Sequence, residues 1–98
     1  MKEILANINK AFENRIRLGI MSALTVHEKM DFTTLRELLD VTDGNLASHL
    51  RALEETGYIS MEKQFINRKP NTTYSVTPQG SDSFRNHIRA LEELLKNQ

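Results

Sequence analysis

Two stretches of this 98-residue sequence gather side chains able to meet the donors, acceptors and charges of another molecule. The first holds Gly44, Asn45, Ser48, His49 and Arg51. An Asn amide can bond both N6 and N7 of an adenine, a Ser hydroxyl can donate or accept, and an imidazole can donate to guanine N7 or to a phosphate. Gly44 has no side chain to hold the backbone away, and free amides at a helix start attract phosphate. In the second stretch Lys63, Asn67, Arg68, Lys69 and Asn71 surround Pro70, so three cations and two amides share a segment that the proline stiffens. This is the chemistry of contact. Groups for making bonds are poorly placed: the three histidines, His27, His49 and His87, are scattered, cysteine is absent, and no HExxH or phosphate-cradling glycine loop occurs. His27 with Glu28, and His87 near Glu92, are possible metal-ligand pairs but read better as surface pairs. Neither an enzyme nor a bound cofactor or metal is expected.

These side chains need elements to hold them. A hydrophobic fraction of 39% and a charged fraction of 27% are globular values, and a chain of this length forms one domain, residues 1–98, that buries roughly 60–70% of its unfolded surface. Ile4, Ile8 and Phe12 recur every four residues with Leu5 beside them, which predicts a first helix over 1–12. A second, over 14–28, turns Ile16, Ile20, Ala23 and Leu24 to one face. Thr34 and Glu37 have the spacing of a capping box and open a short helix over 33–39. Thr42 then caps a helix over 43–56, which Gly57 stops. The period changes to two at Ile59 and Met61, and again at Tyr74 and Val76, giving a hairpin whose loop spans 65–71. Thr77 followed by Pro78 starts a last helix, with Phe84, Ile88, Leu91 and Leu95 along one side.

The order is mainly α with a small β-hairpin, and it resembles the winged helix-turn-helix fold with additional N- and C-terminal helices. The carriers are Arg15-Ile16-Arg17-Leu18-Gly19-Ile20-Met21-Ser22-Ala23-Leu24, Leu35-Arg36-Glu37-Leu38-Leu39, the stretch from Leu46 to Ile59, and Thr72 to Gly80. With four such pieces in this order and at these gaps, the chain is similar to compact transcriptional regulators of the MarR or ArsR type. That resemblance implies a helix-turn-helix over 33–57, a wing over 58–77, and a helix 43–56 that enters a DNA major groove. The contact set it implies is Thr34, Gly44, Asn45, Ser48, His49 and Arg51, with Lys63, Asn67, Arg68, Lys69 and Asn71 on the backbone or in the minor groove. Helix geometry agrees independently: at 100° per residue Leu46, Leu50 and Leu53 fall within about 60° of arc, leaving Gly44, Ser48 and Arg51 opposite. An ordinary solvated face would have the same pattern.

Charge is the awkward feature. The chain carries 13 basic and 13 acidic residues, and residues 31–57 carry two cations against six anions, a net of −4. Phosphate contact supplies most nonspecific DNA affinity, so a winged helix used for protein contact, without DNA binding, stands as the alternative. The outer helices, 1–12 and 79–97, carry more apolar surface than a three-helix core can cover. Ile4, Leu5, Ile8 and Phe12 on one, and Phe84, Ile88, Leu91, Leu94 and Leu95 on the other, are therefore expected at a two-fold homodimer interface, with an unknown effector possible there. The partner would be double-stranded, palindromic DNA, and the dimer a repressor. The N-terminus lacks the pattern of a secretory signal, and nowhere do 18 apolar residues run together, so a cytoplasmic protein away from membranes is expected.

Overall fold

A computed structural model describes residues 1–96. Among the described residues the order is α1 (Lys2–Ala6), a 3-10 turn (Lys10–Phe12), α2 (Arg15–Val26), β1 (Met30–Asp31), α3 (Phe32–Leu39), α4 (Asp43–Glu55), β2 (Ile59–Ile66), β3 (Lys69–Val76) and α5 (Pro78–Lys96). The antiparallel sheet has the order β1-β3-β2. The winged helix-turn-helix expectation is met. Asn97, the last residue of the expected outer helix, lies outside the described residues.

The core around α4 is aliphatic. Leu46, Leu50 and Leu53 are buried against Ile20, Met21, Leu24 and Leu35. Burying a leucine contributes about 2 kcal/mol, so this stripe fixes the rotation of α4 about its axis more firmly than any polar contact on its surface. Thr42 caps α4 as expected, its Oγ1 accepting from the Asn45 amide, and Gly57 follows the helix in the left-handed region at φ +87°.

Several boundaries differ from the sequence expectation. The first helix does not run to residue 12. Asn9 is extended, its side chain accepts from the Ala11 amide, its backbone N–H donates to His87 Nδ1 at 3.0 Å, and its Nδ2 donates to the Tyr58 hydroxyl at 3.0 Å. Three partners outside the helical ladder outweigh one more helical turn. The capping box at Thr34 is also displaced: α3 begins at Phe32, and Asp31 is the cap, accepting from the Thr34 amide at 2.8 Å. That bond, and a second from the Thr34 side chain, hold the Asp31 carboxyl below the usual carboxylate value. Asp31 is pre-set for this because β1 holds it extended, with Asp31 opposite Thr73 and Met30 opposite Tyr74. The same pairing ends α2 at Val26 rather than at residue 28, since the chain must straighten to reach the sheet.

The hairpin is longer and its turn tighter than expected. In place of a loop over 65–71, the strands pair out to Ile66 opposite Lys69, and Asn67 and Arg68 make the turn with φ of 52° and 66°. Two positive φ values in a two-residue connection match the right-handed twist of the strands. Pro70 sits inside β3, opposite Phe65, where β1 does not extend; the alternating ladder turns its missing N–H away from β2.

Phe12 and Phe84 were expected at a dimer interface, but both are buried in this chain's own core. Their rings meet edge-on at 5.3 Å, and Phe12 also lies 5.2 Å from the Tyr58 ring and 5.3 Å from that of His87. The 3-10 turn swings Phe12 inward, which a continuous helix would not have done. Ile88 packs against the same core, while Ile4, Ile8 and Leu94 are half-buried, and Leu5, Leu91 and Leu95 are exposed. His87 is buried, so it does not form the surface pair with Glu92 that the sequence suggests; among the described residues no group of three or more His, Cys, Asp or Glu could hold a metal ion.

A Cβ on Gly80 would lie 2.0 Å from the Tyr58 carbonyl oxygen, which is backbone and cannot yield, so Gly80→Ala should destabilise the chain. Urea unfolding is expected to read a loss of about 3 kcal/mol, the upper range for overpacking. Burial lowers the affinity of His87 for a proton, with Glu13 opposing weakly. Because the folded value lies below the unfolded one, near 6.5, the stabilisation is complete above that pH and is lost as pH falls through the folded value. Thermal melts should show Tm declining from pH 7.5 to pH 5, with a smaller decline in His87→Gln.

Candidate nucleic-acid interface

The leucine stripe leaves the opposite side of α4 in solvent. Gly44, Asn45, Ser48 and Arg51 are exposed, and among the described residues the side chains of Asn45, Ser48 and Arg51 make no hydrogen bond to the rest of the chain. A Cβ on Gly44 would meet nothing within 4 Å, so the backbone is open to close approach at the helix start. His49 differs. It is half-buried on the flank of α4, and its Nδ1 lies 3.0 Å from Arg17 Nη1. Burial, and then the Arg17 charge, hold its pKa below the ordinary histidine value.

Arg17 belongs to the first of the family-like pieces, and its sequence neighbourhood assigns it no role. It stands in the first turn of α2, where Asn14 caps its backbone amide, and its Nε donates to the Ala11 carbonyl. Nothing in the local periodicity linked positions 17 and 49; only the packing of α2 on α4 brings them together.

The wing cations divide between two faces. Strand alternation puts Met61, Lys63 and Phe65 on one face with Tyr74 and Thr72, and Gln64 and Ile66 on the other with Asn71 and Lys69. Met61, Lys63 and Tyr74 line a cleft with Ala47, Leu50, Arg51 and Glu54 of α4, so Lys63 and Arg51 flank one concavity. Lys69 and Asn71 lie on the outer face, and Asn67 and Arg68 form the tip. Thr34 is exposed at the start of α3, with its amide bonded to Asp31.

The acids are partly neutralised by neighbours. Asp43, at the start of α4, pairs with Arg36 at 2.9 Å, and Asp31 is occupied as the cap of α3. Glu37 is exposed and takes no part in the expected capping box, because the cap lies at residue 31. Glu54 lines the cleft between α4 and the wing, and its charge, after burial, raises the pKa of Tyr74.

Residues 16–95 match the winged helix DNA-binding domain family. A protein of Methanocaldococcus jannaschii is 36% identical over 88 residues, covering 90% of this chain and 96% of its own length. A solved transcriptional regulator homologue from Pyrococcus horikoshii OT3 superposes with a TM-score of 0.86 at 33% identity, over 97% of this chain and 92% of its own. A putative transcriptional regulator from Salmonella typhimurium gives a TM-score of 0.73 at 26% identity, over 90% of this chain and 78% of its own. The fold also recurs in solved regulators of the MarR and ArsR families.

The turn at the wing tip allows its backbone strain and its charge to be separated. A non-glycine residue in the left-handed region is strained by roughly 1 kcal/mol, so Arg68→Gly should stabilise the hairpin by up to about that amount while deleting the tip cation. A higher urea midpoint together with weaker DNA binding is the expected pair of results. With the exposed polar face of α4, the basic wing beside it and the match over residues 16–95, this chain belongs to the winged helix DNA-binding domain family, a family of regulators and not of enzymes.

Proposed function

We propose that the protein is a sequence-specific regulator that binds double-stranded DNA as a homodimer and represses by occupying a promoter. The observation that carries this reading is the outward row of Gly44, Asn45, Ser48 and Arg51, unpartnered within the chain and held there by the buried leucines on the other side of α4. Asn45 and Ser48 offer hydrogen bonds to base edges in the major groove, while Lys63 and Arg51 flank a cleft where the sugar-phosphate backbone would run. Arg68 and Lys69 extend the contact to the next phosphates or into the minor groove. Thr34, Asn67 and Asn71 are candidate backbone contacts at the edges of this surface.

Dimerisation is supported by the exposed Leu5, Leu91 and Leu95 on α1 and α5, next to the half-buried Ile4, Ile8 and Leu94. A two-fold pairing through these helices would present two copies of α4 to successive major grooves, about 34 Å apart on a palindromic site. An apolar groove that includes Ile8, Leu18, His87 and Leu91 adjoins the same helices and is where an effector at the interface would bind. Among the described residues no helix is long and apolar enough to cross a membrane.

One observation favours a protein partner instead. The helix-turn-helix is net negative, and Phe65 and Ile66 are exposed on the wing at 77% and 51%. Fluorescence anisotropy with random duplex at low salt separates the readings. The DNA reading expects binding that weakens steeply between 50 and 200 mM salt, by about tenfold or more for a few phosphate contacts, and that is lost in Arg68→Ala with Lys69→Ala. No binding at low salt, with no change in the double variant, would overturn it.

A further inference from the structure

We infer that Arg17 is a positioning residue that determines which hydrogen-bonding group His49 offers to DNA, making it a donor only. The inference rests on the DNA-binding reading above. The guanidinium of Arg17 carries donors and no acceptor, so at 3.0 Å from Nη1 the Nδ1 of His49 must be the acceptor. A neutral imidazole then has its proton on Nε2. Arg17 is itself held: Nε donates to the Ala11 carbonyl, and Asn14 Oδ1 accepts from its backbone amide at 3.1 Å. The donor therefore reaches His49 from a fixed direction.

The remaining imidazole nitrogen is open. Among the described residues no buried side-chain nitrogen or oxygen lacks a partner, and Nε2 of His49 has no bond within the chain, so it is in contact with solvent. His49 stands one turn along α4 from Asn45, on the same side of the helix. A free imidazole would exchange between tautomers and present either a donor or an acceptor there. With Nδ1 engaged, Nε2–H presents a donor only. It fits an acceptor on DNA, such as N7 or O6 of guanine, O4 of thymine or a phosphate oxygen, and it discriminates against the amino groups of adenine and cytosine. The low proton affinity that burial and Arg17 give His49 keeps the imidazole in the neutral form that this arrangement requires.

The test uses the full chain and the variants Arg17→Met, His49→Ala and the double substitution. Two-bond 1H–15N NMR should find the Nε2–H tautomer of His49 in the parent protein and a mixture in Arg17→Met. Selection from a random duplex pool, with anisotropy on the selected site, should then show about a twofold loss of affinity in Arg17→Met, as expected when a roughly even mixture leaves half the molecules presenting the donor, against about a tenfold loss in His49→Ala, the scale of one lost DNA hydrogen bond. Loss of preference at one base pair identifies a base acceptor; an unchanged selected sequence with uniformly weaker binding identifies a phosphate. Arg17→Met should add nothing in the His49→Ala background, because it acts through the imidazole. An Nδ1–H tautomer in the parent, an unaltered tautomer in Arg17→Met, affinity and site preference both unaltered in Arg17→Met, or fully additive effects in the double variant would overturn the inference while parental DNA binding persists. A parent protein that binds no duplex overturns both this inference and the DNA-binding reading.

Discussion

The burial of Leu46, Leu50 and Leu53 on one side of α4 is the constraint from which the interface follows. A helix presents a reading face only if its rotation about its own axis is fixed. Three leucines a turn apart, seated against α2 and α3, leave one rotation in which no large apolar group is returned to water. Truncating any one of them would cost about 2–5 kcal/mol, more than exposed polar contacts can recover. The polarity of the outward face is thus a consequence of what is buried on the other side. Asn45, Ser48 and Arg51 need no partners within the chain to be held in place.

A second set of contacts ties the N-terminal segment to the reading elements. Asn9 bonds His87 of α5 through its amide and Tyr58, at the start of the wing, through its side chain. Two residues later, the Ala11 carbonyl accepts from Arg17, whose other end meets His49. Phe12 fills the space between Tyr58, Phe84 and His87. One short irregular stretch therefore contacts the outer helix, the wing and, through one arginine, the flank of α4. Regular helix through residues 7–12 could not do this, because its backbone groups would bond one another.

Charge and shape act at different ranges here. The helix-turn-helix repels phosphate at a distance, yet of its six acids Asp43 is paired and Asp31 is occupied as a cap. Glu54 is the acid that faces the cleft shared by Arg51 and Lys63. In the proposed complex, a carboxylate beside the path of the backbone would weaken indiscriminate attraction, so that base-edge hydrogen bonds would supply a larger share of the affinity.

Local chemistry and periodicity were enough to read the element order, the inward leucines of α4, the caps at Thr42 and Thr77, and the stop at Gly57, because each depends on residues within a turn or two of one another. The outward position of Gly44, Asn45, Ser48 and Arg51 is a direct corollary of that leucine spacing. What lay beyond the sequence depends on contacts between distant positions. The two-residue strand β1 is too short to have a period and exists because β3 pairs with it; it in turn moves the cap of α3 from Thr34 to Asp31. The break at Asn9, the inward turn of Phe12 and the pairing of Arg17 with His49 likewise need partners that the chain brings near only after it folds. Which residues face inward can be read along one helix, whereas which bonds a polar side chain makes is decided by what the other elements bring beside it.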